Sequence, residues 1–245
     1  DVERLAPFAD AFLVGTSLMR AEDPAMAARG LAFGRVKVCG LTNPEDLGAA
    51  AEAGASFAGL VMVPNTPRAL TRSRAERLAE VARGRGLRSV GVFRNEKLMQ
   101  VASTALGLGL DAVQLHGEED SAYVRALRNL LGGSTEIWTV SGVGREVPKE
   151  RAGTDRTLFD TCVNGRSGGT GVPFDWSRVR RRAELDRSIL AGGLSPCNAR
   201  GASQVGAFAL DVGSGVEAEP GRKDPVKLRA FFEALRPAVR GEAIQ

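Results

Sequence analysis

Lys37, Cys39, Gln114, His116, Asp160 and Asp211 are the residues of this 245-residue chain whose types and spacing could do proton chemistry. Each lies in, or at the end of, a short apolar run: VKVCG, VQLHG, LFDT and LDVG. Residues two apart on a strand share a face, so Lys37 stands with Cys39 and Gln114 with His116. A cysteine acts as base or nucleophile only as thiolate, and a nearby ammonium favours that form. A carboxylate on the inward face of a strand is costly unless paired or used, which marks Asp160 and Asp211. Plainer readings stand beside these. Cys39 could be a small core residue, His116 a hydrogen-bonded lining residue, and Asp160 the cap of a loop amide.

A second group of residues suits an anion. Three glycine-rich loops, RSGGTG (166–171), AGG (191–193) and GSG (213–215), follow consecutive strand-like runs. Glycine lets backbone N–H groups approach a phosphate closely, and a helix N-terminus adds partial positive charge. One such loop is only a turn, whereas three on neighbouring strands read as a phosphate cup. Arg68 is presented from the proline-stiffened loop VPNTPRALT (63–71). Arginine can grip a carboxylate through two parallel hydrogen bonds; its plainer reading is the cap of a helix end.

These positions must be held by an alternating scaffold. Strand-like runs fall at 35–40, 57–63, 88–93, 111–117, 135–140, 156–161, 188–193 and 207–213. Helical patterns fall between them at 44–54, 73–84, 96–109, 118–133, 174–185 and 195–206, and a last one at 224–239. Asp175 is the expected N-cap of the helix at 174–185, and Ser195, followed by Pro196, that of the helix at 195–206. The segment after the fifth strand predicts a short or poor helix. Eight strand–helix units are the pattern of an α/β (β/α)₈ TIM barrel over residues 35–240, with a doubly wound sheet as the alternative. A barrel places its chemistry at the carboxyl ends of its strands, where all the polar groups above lie. Residues 1–34 stand outside the repeat as an extension: 11–19 reads as a strand with a glycine loop and 22–34 as a helix.

Composition narrows the classes. Apolar residues make up 43%, enough for a sizeable core, and aromatics only 5%, so that core is aliphatic. The net charge of +4 suits a small anionic substrate and does not indicate nucleic acid. The basic run RVRRR (178–182) reads as a solvated helix face. Cys39, Cys162 and Cys197 show no CxxC spacing and are odd in number, so disulfide or zinc scaffolds are not expected and reduced thiols fit a cytoplasmic setting. No apolar run approaches the roughly 20 residues of a membrane helix.

The same segments resemble the phosphoribosylanthranilate isomerase family of tryptophan biosynthesis. The resemblance runs through VKVCGLT (36–42), GLVMVPNTPR (59–68), VGVFRN (90–95), VQLHG (113–117), LFDTCVNGRSGGTGVPFDW (158–176), LAGGLSPCN (190–198) and LDVGSGVEAEPGRKD (210–224). It implies a (β/α)₈ barrel and an Amadori rearrangement of a phosphosugar substrate without cofactor or metal. Matched motif to motif, Cys39 is the general base, Asp160 the general acid, and Arg68 the anthranilate carboxylate's partner. Gln114, His116 and Asp211 line the site, and Gly171, Gly192, Gly193, Ser214 and Gly215 hold the phosphate. Two departures stand out: WTVSGVG after the fifth strand, where a lysine or alanine is common, and Gly213 in place of a small polar residue. The extension PFADAFLVGTSLMRAEDPAMAARGLAFG (7–34) resembles the last βα unit of indole-3-glycerol-phosphate synthase, an enzyme fused to the isomerase in some bacteria. Two other readings remain: a histidine-pathway or dual-substrate aminoaldose isomerase, and a non-catalytic phosphosugar-binding barrel. The first uses aspartates at the ends of strands one and five, where this chain has Cys39 and Thr139–Val140.

Overall fold

The structure is a computed structural model that describes residues 12–144, 146–163, 166–167 and 172–236. Eight strands are laid down in chain order: β1 (Val36–Cys39), β2 (Phe57–Val61), β3 (Arg88–Phe93), β4 (Ala112–Leu115), β5 (Glu136–Val143), β6 (Arg156–Val163), β7 (Ile189–Leu190) and β8 (Ala209–Val212). Each pairs in parallel with the next, and β8 pairs back onto β1, so the sheet closes on itself. This is the (β/α)₈ barrel expected from the repeat. Strands covered on both faces read as near-continuous apolar runs. Phe57, Val90, Trp138, Leu158 and Ile189 fill the interior, while the alternate residues Val36, Val38, Leu60 and Val113 pack outward against the helices.

The helices are α1 (Pro24–Phe33), α2 (Pro44–Ala53), α3 (Arg72–Gly84), α4 (Leu98–Leu108), α5 (Ser121–Leu131), α6 (Ala199–Ser203) and α7 (Pro225–Leu235). Asn43, Thr71, Asp120 and Asp224 cap α2, α3, α5 and α7 by accepting first-turn N–H groups, as short polar side chains do at N-caps. Gly54 and Gly109 end α2 and α4 in the left-handed conformation. None of the described helices is long and apolar enough to cross a membrane.

Three expectations are corrected. The stretch at 174–185 forms two 3₁₀ turns, Trp176–Arg178 and Leu185–Arg187, rather than a helix. Its buried anchors, Val179 and Leu185, would lie about 120° apart on a regular helix and could not both face the barrel. Asp175 does cap, accepting the N–H of Ser177 at 3.1 Å. Second, α6 begins at Ala199, and Ser195 is not its side-chain cap. Instead the Ser195 N–H donates to Asn198 Oδ1 at 2.8 Å. Third, the described part of 11–19 forms a helical turn at Thr16–Met19, not a strand.

The described part of the extension lies on the barrel through α1. Phe33 meets Phe232 of α7 edge to face, with ring centroids 5.5 Å apart. Arg29 donates to the carbonyls of Gly86 at 2.6 Å and Arg85 at 3.0 Å, capping the end of α3. We expect Phe33→Ala to lower the unfolding free energy by about 2 kcal/mol in a urea titration, since the ring is half-buried. Unchanged stability would show that α1 gains nothing from this contact.

Candidate active site at the carboxyl end of the barrel

Inside the barrel, Lys37 on β1 stands opposite Asp211 on β8. Its ammonium donates to both carboxylate oxygens, at 2.9 and 3.0 Å, and its side chain is wholly buried. Burial works to lower the Lys37 pKa, but Asp211 and the adjacent Cys39 outweigh it and hold it above the ordinary value. The lysine is therefore a fixed cation in the floor of the site.

Cys39 lies one step further toward the mouth, opposite Gly59 of β2. A side chain at residue 59 would crowd the Cys39 backbone and approach its Sγ and the Lys37 stem. Glycine there is what gives Lys37 and Cys39 room to share one face. Burial pushes the Cys39 thiol above its ordinary pKa, Lys37 and Lys223 pull it down, and Asp211 adds to the rise. The expectation that Lys37 favours thiolate holds for the ion's own effect, but burial prevails, and the resting state at neutral pH is the thiol.

Asp160 comes from β6, with β7 and β8 between it and β1, so it faces the site from a different side. Its carboxyl is pushed up to about 6, mainly by burial and further by Asp211, against the Thr161 N–H bond and Lys37. The Thr161 N–H donates to Oδ1 at 2.7 Å. Cys39 and Asp160 thus both feel the same Lys37–Asp211 pair. On β4, Gln114 Nε2 lies 3.3 Å from His116 Nδ1, and His116 Nε2 lies 3.8 Å from Asp160 Oδ2. Gln114 Oε1 is buried and has no hydrogen-bond partner among the described residues.

The glycine loops converge beside this group. Gly192 and Gly193 both have positive φ, +81° and +63°. A Cβ on Gly192 would strike Thr161, and one on Gly193 would strike the Val172–Pro173 backbone. A Cβ on Gly215 would run into the Leu194 carbonyl. The loops after β6, β7 and β8 therefore touch backbone to backbone, as a cup lined by amides requires. Asn198 ties the second loop together, holding the Ser195 N–H and donating to the Gly193 carbonyl at 2.9 Å. Ser214 opens a 3₁₀ turn in the third loop. Gly171 lies outside the described residues.

Arg68 reaches the mouth over Gly40, whose φ is +79° and whose missing side chain makes room for the arginine stem. It is held by Glu217, with Nε donating to Oε1 at 2.8 Å and Nη2 to Oε2 at 2.5 Å. Sequence reasoning missed Glu217 and its partner Lys223. The signal was there: the two flank the Pro220–Gly221 turn and pair across an antiparallel hairpin, which a turn between polar-ended runs predicts. Among the described residues, no cluster of three or more His, Cys, Asp or Glu side chains is arranged to hold a metal.

Comparison with known proteins bears on this constellation. The family described as N-(5'phosphoribosyl)anthranilate (PRA) isomerase matches residues 36–234. Tryptophan biosynthesis protein TrpCF of Vibrio parahaemolyticus is 44% identical over 236 residues, covering 96% of this chain and 48% of that protein. Its counterpart from Vibrio cholerae is 45% identical, covering 96% and 49%. The chain spans about half the length of these curated relatives. Among solved structures, phosphoribosyl anthranilate isomerase from Thermus thermophilus superposes with a TM-score of 0.71 at 30% identity, covering 82% of this chain and 98% of that one. The Thermotoga maritima isomerase gives 0.69 at 34% identity, with 82% and 98% covered.

The buried Asp160 carboxyl carries a stability prediction. Its pKa rises from an ordinary 3.8 to about 6 on folding, so the folded state binds the proton more tightly than the unfolded state. The resulting cost to stability is absent below about pH 3.8 and complete above about pH 6. Asp160→Asn removes that cost and retains an acceptor for Thr161. Thermal or urea unfolding should show the variant more stable at pH 8 by ~3 kcal/mol, with the advantage vanishing near pH 4. A variant less stable at pH 8 would show that the charge is compensated in the fold.

Proposed function

The chain belongs to the N-(5'-phosphoribosyl)anthranilate isomerase family, and from that premise we propose that it catalyses the Amadori rearrangement of N-(5-phosphoribosyl)anthranilate to 1-(2-carboxyphenylamino)-1-deoxyribulose 5-phosphate. The observation that carries this reading is one buried ion pair, Lys37–Asp211, coupled to a thiol on β1 and a raised carboxyl on β6. Two proton-transfer groups that come from β1 and β6 and feel the same ion pair suit a substrate that gains a proton on one atom and loses one from another. A related isomerase has been crystallised with reduced 1-(o-carboxyphenylamino)-1-deoxyribulose 5-phosphate, at 32% identity and a TM-score of 0.67.

In this scheme Asp160, protonated, donates to the ribose ring oxygen. The C1–O bond breaks as the anthranilate nitrogen's lone pair forms an iminium at C1. Cys39, as thiolate, then removes the C2 proton. The C–H electrons form a C1–C2 double bond, and the iminium pair returns to nitrogen. The resulting enolamine tautomerises to the C2 ketone. Arg68 holds the carboxylate, the convergent loops at Gly192, Gly193, Ser214 and Gly215 hold the phosphate, and Gln114 and His116 line the sugar. The substrate's own nitrogen is the electron sink, so the scheme needs no metal or cofactor. The histidine-pathway reading is less well supported, because the inward positions of β5 opposite β6 are Trp138, Val140 and Gly142, with no carboxylate facing Asp160.

We also propose that residues 1–34 are the end of a preceding indole-3-glycerol-phosphate synthase unit. Supporting this, the TrpCF alignments cover 96% of the chain, which takes in most of the segment before β1, and those relatives are about twice as long. The chain's own isomerase barrel is complete without it.

The test is turnover of freshly generated phosphoribosylanthranilate, followed as loss of anthranilate fluorescence. Cys39→Ala and Asp160→Asn should each lose at least ~100-fold in kcat, the usual span of acid–base catalysis, while still binding the reduced product analogue. Normal turnover in both would refute the assignment. The active microstate pairs thiolate with carboxylic acid although the carboxyl ionises first. It follows that kcat/KM rises tenfold per unit up to about pH 6, is level above it, and declines only above the raised thiol pKa. An optimum below pH 6 would contradict it.

A further inference from the structure

Arg68 is expected to receive a carboxylate, yet one edge of its guanidinium is already committed. Nε and Nη2 donate to the two oxygens of Glu217, which leaves both hydrogens of Nη1 and the second of Nη2 for a ligand. The ligand therefore meets Arg68 at its Nη1–Nη2 end.

Glu217 does not stand alone. Its Oε1 also accepts from Lys223 Nζ at 2.8 Å. That ammonium is buried, and its other hydrogens go to the carbonyls of Cys39, at 2.6 Å, and Gly213, at 3.2 Å. The hairpin that carries both residues is pinned from three sides. Lys223 N–H donates to Asp46 Oδ2 at 2.7 Å, Lys227 Nζ to the Glu217 carbonyl at 2.7 Å, and Thr42 Oγ1 to the Gly221 carbonyl at 2.6 Å. A continuous chain of charge-assisted bonds thus runs from Arg68 through Glu217 and Lys223 to the backbone of Cys39 and to the residue that opens the Ser214–Gly215 loop. Such bonds are short, directional and stronger than neutral ones.

Resting on the reading of Arg68 as the carboxylate-binding group, we infer that Glu217 is a positioning residue that selects carboxylated substrates. It aims the free end of Arg68, and through Lys223 it sets the distance from that end to the Cys39 segment and the phosphate loop. The ligand class is an N-aryl ribosylamine 5-phosphate whose ring bears a carboxylate at the reach this chain of bonds dictates.

The experiment compares N-(5-phosphoribosyl)anthranilate with N-(5-phosphoribosyl)aniline, which lacks the carboxylate, on wild type, E217Q, E217D, R68M and the E217Q/R68M pair. With the anthranilate substrate, E217Q should raise KM about tenfold or more, with a smaller change in kcat. With the aniline substrate it should stay within about twofold of wild type. The double variant should be no worse than R68M, since Glu217 acts through that arginine. E217D keeps the charge but draws it back by one methylene. If E217Q fails to fold, a folded E217D must show the same substrate-dependent rise in KM. Equal losses on both substrates, or additive losses in the pair, would reduce Glu217 to a structural role and overturn the inference. If R68M impairs the anthranilate substrate and E217Q does not, the inference alone falls. If R68M leaves the anthranilate KM unchanged, the reading of Arg68 itself fails and the inference falls with it.

Discussion

The site depends on a lysine ammonium sealed inside a barrel. Lys37 has no water to solvate it, and its two bonds to Asp211 are what make the position tolerable. Buried pairs of this kind add little net stability, but removing one partner typically costs 3–5 kcal/mol because the other charge is stranded. The parallel register fixes the pair, placing residue 37 of β1 opposite residue 211 of β8. A slip of either strand by one residue would turn its charged side chain out toward the helices and leave the other stranded.

The two proton-transfer candidates feel that pair in the same sense: Lys37 lowers and Asp211 raises the pKa of each. The carboxyl of Asp160 is buried and sees Asp211 as a like charge, which keeps its proton available at moderately acidic pH. The thiol of Cys39 is desolvated too, but sits against Lys37, which favours its ionised form. Burial holds both groups above their ordinary values, and the one ion pair tunes each of them. A second buried ammonium, Lys223, serves the rim as Lys37 serves the floor. It fixes the carbonyls of Cys39 and Gly213 and the carboxylate of Glu217, and burial lowers its own pKa against the pull of Glu217. The floor thus governs protonation and the rim governs geometry.

Much of this was legible because strand periodicity is two. Lys37 and Cys39, and Gln114 and His116, could be assigned to shared faces from spacing alone, and the polar residues stood out in otherwise apolar strands. The glycines of the loops after β7 and β8 were legible as a group, and the structure gives them a steric reason: Gly192 abuts Thr161 of β6, and Gly193 and Gly215 each abut a neighbouring loop. What was not legible depends on contacts distant in sequence. Glu217 meets Arg68 across 149 residues, and Lys223 meets Cys39 across 184. Gly59 lies inside the strand-like run 57–63, and only the β1–β2 register shows that it clears space for Cys39. The stretch 174–185 carried a helix cap and helix-forming arginines, but its two anchoring apolar residues do not share a helical face, and packing overrode propensity.

The most direct test of the account is a crystal structure of this chain with the reduced carboxyphenylaminodeoxyribulose phosphate bound. The sulfur of Cys39 and the carboxyl of Asp160 should lie on opposite sides of the same five-carbon chain, each within hydrogen-bonding reach of it, with Lys37 and Asp211 still paired beneath. A ligand that contacts one of those two groups while the other faces a separate cavity would contradict it.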